Sequence, residues 1–288
     1  MSNTKIWREY TAAGVNAQYN LAGHPDRDSS YSRYAEQSRA ARALLLHSEI
    51  AYGDHPRERF EFFPGARHVR NGPVFVFIHG GYWRALEKET WSYIAPAFVA
   101  RDIAFANIEY PLAPEKTVGE IVSSVRKAIV AVHRVAAAAG VDVSRVVISG
   151  HSAGGHLTAM MLRTDWSQHG LANWRPAAGV PISGLFELEP LRHYELNDTL
   201  KLTLEAARAL SPALLPMSGL PPVLAVVGGA ETDEFRRQTI DYAARLTTAG
   251  VAARTHLVPA ANHFTVMAAL GDPTSALFPD VLQLITRR

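Results

Sequence analysis

One serine stands in the setting that nucleophilic chemistry demands. Residues 150–154 read G-H-S-A-G, with Ser152 at the centre, a β-branched run at 146–148 before it and helical sequence after it. A serine hydroxyl is a weak nucleophile. It needs a base, an acid to orient that base, and donors for the oxyanion that forms when it attacks a carbonyl. A sharp strand-to-helix turn would lift Ser152 Oγ to the rim of a sheet, and glycines at 150 and 154 would remove the Cβ atoms that clash in so tight a bend. The helix that follows would aim its free N–H groups and positive dipole end at the reacting oxygen, with the Ala153 N–H as the first oxyanion donor.

The partners occur at fitting places. An apolar run at 74–78 ends in His79-Gly80-Gly81-Tyr82-Trp83. A glycine-rich loop lets a backbone N–H approach substrate unobstructed, so Gly81 or Tyr82 is expected to supply the second donor. His79 reads as a brace for that loop rather than a proton carrier. The base should follow the last strand. Of twelve histidines, only His263 lies in a loop after such a run, at 253–258. His256 falls inside the run, and His151 and His156 flank the serine too closely in sequence to curl back onto it. The acid should follow the preceding strand, 223–227, where Glu231, Asp233 and Glu234 compete. Glu231 comes earliest and is favoured. Asp233 is the alternative, although Asp233 and Glu234 also suit the first turn of a helix, where negative charge complements the macrodipole. The chain order Ser152, Glu231, His263 is that of an α/β-hydrolase. Tyr82, Trp83, Phe186 and Phe264 adjoin these motifs as candidate walls of a substrate pocket, with core packing as the rival reading of each.

The elements that must hold these residues alternate regularly. Short apolar runs at 60–63, 74–78, 103–108, 146–148, 179–182, 223–227 and 253–258 predict strands, several of them continuous enough to be buried on both faces of a parallel sheet. Helices are predicted at 31–46, 90–100, 118–139, 153–163, 200–210, 234–248 and 276–287. The clearest is 118–139, where Val118, Ile121, Val122, Val125, Ile129, Val132 and Ala136 form one apolar stripe. Residues 168–178 and 187–216 are irregular, as segments over the carboxyl edge of such a sheet often are. The fold expected is a single α/β domain spanning 1–288, its mainly parallel sheet covered on both faces. Residues 1–57 would form a helical extension able to cover the site. The arginines at 27, 33, 39 and 42, interleaved with Asp26, Asp28 and Glu36, are expected to form a solvated helix face.

Composition excludes other chemistry. The 288 residues carry 29 basic and 27 acidic side chains, a net charge of +2, and no cysteine. The near balance argues against nucleic acid or a charged membrane surface as partner. Without cysteine there is no disulfide, thiolate metal site or cysteine nucleophile. G-x-x-x-x-G-K-[ST], G-x-G-x-x-G and H-E-x-x-H are absent, and His151 and His156, five apart, do not share a helix face. No cofactor and no metal are therefore expected. The polar N-terminus lacks a signal-peptide segment and no stretch is long enough to span a bilayer, so a cytoplasmic enzyme acting on a small molecule is the expectation.

The motifs HGGYW (79–83) and GHSAGGHL (150–157), with NIEYPLAPE (107–115) between them, resemble the α/β-hydrolase group of hormone-sensitive-lipase-like esterases. More narrowly, AQYNLAG (17–23), AYGDHPRERFEFFPG (51–65), SGLFELEPL (183–191), Asn197, Ser211-Pro212, EFRRQT (234–239) and NHFTVM (262–267) make the chain similar to the kynurenine formamidases (arylformamidases) and their bacterial esterase relatives. The resemblance spans nearly the whole chain. It implies Ser152 as nucleophile, His263 as base and Glu231 as the carboxylate. Eukaryotic formamidases carry aspartate at that last position, which leans this chain toward the bacterial esterases. The expected reaction is acyl transfer from an aryl formamide or small ester to water through an acyl-serine. A general short-chain carboxylesterase, and a non-catalytic binding protein of the same fold, are the alternatives. Hydrolases of this shape often dimerise, so by analogy a homodimer is one assembly to expect.

Overall fold

The computed structural model describes residues 4–67 and 71–286. Eight strands form one sheet in the order β1-β2-β4-β3-β5-β6-β7-β8. They are β1 (Ser48–Ala51), β2 (Arg59–Phe63), β3 (Val74–Ile78), β4 (Ala104–Ile108), β5 (Val146–His151), β6 (Ala178–Ile182), β7 (Val223–Gly228) and β8 (Ala253–Val258). β2 runs antiparallel to both β1 and β4, and every other pairing is parallel. The central strands β3 to β7 are buried throughout, which explains their near-continuous apolar sequence. β8 closes one edge and has no buried residue, with Arg254 exposed, so a charged side chain blunts the open ladder. Ser48–Ala51, at the other edge, carries no apolar run and escaped prediction. It is held by its register against β2 rather than by its own sequence.

Among the described residues, ten helices surround the sheet: α1 (Ala12–Tyr19), α2 (Asp26–Leu44), α3 (Ala95–Val99), α4 (Val118–Ala138), α5 (Ala153–Leu162), α6 (Asn197–Leu200), α7 (Leu204–Ala209), α8 (Asp233–Thr248), α9 (Ala268–Gly271) and α10 (Leu277–Thr286). Alternate residues of β3 face opposite layers, as strand geometry requires. Val74, Val76 and Ile78 pack into a cluster with the apolar stripe of α4, whereas Phe75 and Phe77 pack with α3 and α10. α4 opens on a reciprocal cap, in which Thr117 accepts from the Glu120 N–H and Glu120 accepts from the Thr117 N–H.

Several elements differ from expectation for local reasons. The predicted helix at 90–100 is two short 3₁₀ turns followed by α3, because Pro96 fits only the first turn of an α-helix. That at 200–210 breaks at Lys201, whose φ is +52°, and restarts behind the Thr203 cap as α7. α2 begins five residues early, with Asp26 and Asp28 in its first turn. Its arginines are not one solvated face. Arg33 and Arg39 are exposed, but Arg27 and Arg42 are half-buried, and Arg42 donates to the Glu89 carbonyl and to Ser92 Oγ. The final helix was expected to reach Arg287, which lies outside the described residues.

Candidate active site

β5 runs directly into Ser152, whose backbone is held at φ +56° and ψ −116° before α5 begins at Ala153. A non-glycine residue in that region is strained, and the surroundings impose it. The Ser152 N–H donates to the Ile182 carbonyl at 2.8 Å, and the Ser152 carbonyl accepts from the His156 N–H at 3.0 Å. A Cβ at Gly150 would fall 2.3 Å from the Gly154 carbonyl oxygen, and one at Gly154 only 2.0 Å from that of Ile78. The bend therefore requires glycine at both positions. As the first helical residue, Ala153 has an N–H without an intrahelical acceptor.

β3 leads into the facing loop, where Gly81, Tyr82 and Trp83 have φ values of +102°, +50° and +56°. Among the described residues, no acceptor takes the Gly81 or Tyr82 N–H. His79 sits fully buried beneath this loop. Its Nδ1 is 2.7 Å from the Gly80 carbonyl and its Nε2 2.9 Å from Glu109 Oε1, while its ring stacks on Tyr110. Burial would raise the Glu109 carboxyl, but the charge and hydrogen bond of His79, aided by Arg57, outweigh it and hold that carboxyl below the usual range. The contacts of His79 are those of a brace, as anticipated.

The loop after β8 carries His263 and the loop after β7 carries Glu231. Glu231 Oε2 lies 2.7 Å from His263 Nδ1. The other carboxylate oxygen accepts from the Gly228 N–H at 2.8 Å and from the Ser183 hydroxyl. Asp233 lies instead in the first turn of α8, ion-paired with Arg236 and largely exposed. Ser183 was not foreseen. It follows β6 with a φ of +49°, a turn that a Ser-Gly pair after a buried strand could have suggested.

Ser152 and His263 both open onto a cavity of about 400 Å³. Gly81 and Tyr82 line it from the β3 side, and Phe264 closes it with its ring edge-on to His263 and to Tyr31. Two of the four candidate wall aromatics lie elsewhere. Trp83 is fully buried and edge-on to His156, and Phe186 is stacked on Tyr242 at 4.1 Å, so both belong to the core. The described lining also includes Tyr31 and Arg27 from α2, Leu21 just before it and Tyr194, which lie far from the motifs at 79–83 and 150–157, and Arg84 and Leu86, which follow the first of these directly. The N-terminal segment is tied down at this point. Asp26 accepts from Asn262 Nδ2 at 2.6 Å, and the Tyr34 hydroxyl donates to the Phe264 carbonyl at 2.9 Å.

Two further histidines border the serine turn. His151 is buried with neither ring nitrogen hydrogen-bonded among the described residues, its ring 4.6 Å from that of His263. Burial first, and the charge His263 can carry second, push its pKa well down. His156 Nε2 contacts the Leu210 carbonyl at 2.8 Å, and burial lowers its pKa to about 4. Among the described residues, no group of three or more His, Asp or Glu side chains is arranged to hold a metal ion, and no helix is long and apolar enough to cross a membrane.

Comparison with known proteins bears out the expected kinship. A family model described as the alpha/beta hydrolase fold matches residues 75–267. The kynurenine formamidase of Salmo salar is 31% identical over 243 residues, covering 82% of this chain and 80% of that protein. A carboxylesterase of Mycobacterium tuberculosis is 29% identical over 230 residues, covering 72% of this chain and 70% of its own. Among solved structures, a protein of Silicibacter sp. TM1040 provisionally described as a thioesterase superposes with a TM-score of 0.80 at 32% identity, covering 94% of this chain and 98% of that one.

Proposed function

Because this chain belongs to the α/β-hydrolase family and is a hydrolase, we propose that it cleaves an aryl formamide by a Ser152–His263–Glu231 relay through an acyl-serine. The observation that carries this reading is the 2.7 Å contact of His263 Nδ1 with Glu231, beside a serine that opens onto the same cavity. Glu231 accepts the Nδ1–H of His263, fixing the tautomer that leaves Nε2 free to take a proton. Ser152 Oγ attacks the formyl carbon as His263 removes its proton. The oxyanion is held by the N–H of Ala153 and of Gly81 or Tyr82. As the C–N bond breaks, His263 returns the proton to the departing aryl amine. Water then attacks the formyl-serine by the same steps, releasing formate and restoring the hydroxyl.

The aromatic walls suit an aryl leaving group, and the kinship with a formamidase over four-fifths of the chain supports the formyl acyl group. Glutamate rather than aspartate at position 231, with the kinship to a bacterial carboxylesterase, supports a second reading as a short-chain carboxylesterase. In either case the N-terminal segment serves as a fixed cover over the site.

Steady-state kinetics on N-formylkynurenine, p-nitrophenyl acetate and p-nitrophenyl octanoate separate the readings. The formamide is expected to have the highest kcat/KM, and a clear preference for an ester would transfer the assignment to the carboxylesterase reading. Ser152→Ala is expected to lose about 10⁵- to 10⁶-fold in kcat with the fold intact. Retention of near wild-type turnover, or failure of a phosphonate to label Ser152, would overturn the relay.

A further inference from the structure

The loop after β3 that carries Gly81 and Tyr82 is strained well beyond its glycines. Tyr82, Trp83 and Leu86 all have positive φ, at +50°, +56° and +74°. Bulky side chains avoid that region, and they stay in it only where the surroundings impose it. The turn is closed from within by the N–H groups of Arg84 and Ala85, which donate to the Gly81 carbonyl at 3.0 and 3.1 Å. It is so tight that a Cβ on Gly81 would fall 2.1 Å from the Ala85 carbonyl oxygen and 3.1 Å from Leu86 Cγ. Leu86 thus lies directly against a residue whose N–H is a proposed oxyanion donor.

Two charged side chains, neither of them in the described cavity lining, hold this loop from behind. Glu109, buried just after β4, touches both of its ends. Its Oε1 is 2.9 Å from His79 Nε2, and its Oε2 accepts from the Lys88 N–H at 2.8 Å. Arg57, in the turn between β1 and β2, ion-pairs with Glu109, and the same Nη2 donates to the Leu86 carbonyl. Its Nε donates to the Tyr110 carbonyl at 3.0 Å, and the Tyr110 hydroxyl donates to the His79 carbonyl at 2.9 Å. One planar guanidinium therefore ties together the strained Leu86, the buried carboxylate and the strand end beneath the loop, a span that the single point of an ammonium does not cover. We infer that Arg57 is a positioning residue of the hydrolytic site: through the Leu86 carbonyl and Glu109 it fixes where the Gly81 and Tyr82 N–H groups point. This rests on the relay proposed above and extends its support to the hairpin at the β1 edge of the sheet.

The test compares Arg57→Gln, Arg57→Lys and a control, Arg59→Gln, with each preparation counted by the fraction of Ser152 that a phosphonate labels at completion. Arg59 belongs to the same hairpin, but its exposed side chain reaches Glu49 and the Pro56 carbonyl and not the loop. With p-nitrophenyl acetate, Arg57→Gln should lower kcat per labelled serine about 10- to 100-fold and change KM less than about 3-fold, because a misplaced oxyanion donor costs the transition state and not the bound ester. Phenylboronic acid reads the same geometry without turnover. Ser152 Oγ adds to its boron, the serine proton passes to His263, and one boron hydroxyl takes the oxyanion position. Its inhibition constant should rise about 10-fold in Arg57→Gln. Arg57→Lys, which can meet Glu109 but not all three acceptors, should recover part of both losses, and Arg59→Gln should match the wild type. A merely structural role would lower the labelled fraction and leave kcat per labelled serine unchanged. That result overturns the inference, as does a boronate constant that Arg57→Gln leaves unmoved. A wild type that is neither labelled nor inhibited would instead reject the relay itself, and the inference with it.

Discussion

Ser152 and Tyr31 face one cavity from two kinds of structure. Ser152 ends a fully buried strand, and its turn is locked from below by the Ile182 carbonyl and by glycine contacts that leave no room for a Cβ. Tyr31 rides on α2, a polar helix attached near the cavity by a few side-chain bonds, such as Asp26 to Asn262 and Tyr34 to the Phe264 carbonyl, and by ring contacts with Phe264 and Trp91. The first arrangement stores backbone strain that only a packed core can sustain. The second shapes a wall. The proposed relay thus lies at the carboxyl ends of strands, and an outer segment whose attachments can be changed one at a time walls the cavity.

The sharpest way to break this contrast is at the buried acid. Glu231→Gln is expected to lower kcat by about 10⁴-fold with little change in KM, because the amide can donate to His263 Nδ1 and favours the wrong tautomer. A loss below 10-fold would mean that the acid does not orient the base. Next comes an aromatic that sequence proximity placed at the pocket but packing placed in the core. Phe186→Ala should cost about 3–5 kcal/mol in urea unfolding while leaving the KM for aryl substrates unchanged. A raised KM at full stability would return Phe186 to the substrate wall.

The buried histidine of α5 gives a pH test. His156 has its pKa lowered to about 4 in the folded chain, against about 6.5 when unfolded. The unfolded state therefore binds the extra proton first, and stability present above pH 6.5 is lost as the pH falls toward 4, by up to about 3 kcal/mol. His156→Gln, which can still donate to the Leu210 carbonyl, should make the fall of the urea midpoint across that range shallower. The shares of His151 and His133, whose pKa values are also lowered by burial, and of Glu109 and the other carboxylates held below their usual range, should remain. An unaltered profile between pH 4 and 6.5 would place the titration elsewhere. The smallest effect is expected from the outer segment. Asp26→Ala should lower kcat/KM about 3- to 10-fold, less than Asn262→Ala, because Asn262 also accepts from the Phe264 and Thr265 N–H groups beside His263. An equal loss in the two variants would overturn that ranking.

How far the chain could be read ahead follows the same division. The strands at 74–78, 146–148 and 223–227 were legible because burial on both faces leaves unbroken apolar runs, and α4 because its stripe repeats every three to four residues. That Ser152, Glu231 and His263 stand at the ends of strands was legible because each lies just beyond such a run. The edge strand Ser48–Ala51 was not, since one neighbour and open water ask little of its side chains. Nor were Ser183 and Tyr31, whose contacts join segments far apart in the chain. Trp83 and Phe186 show the converse: lying next to a motif does not make a side chain line the cavity.

Local sequence determined which segments became strands and helices and which turns could bend sharply, because periodicity, glycine and capping act over a few residues. Tertiary structure alone decided which oxygen meets His263 and which aromatics face the cavity. Those outcomes depend on the relative placement of elements tens or hundreds of residues apart, and only close packing of the whole chain fixes that placement.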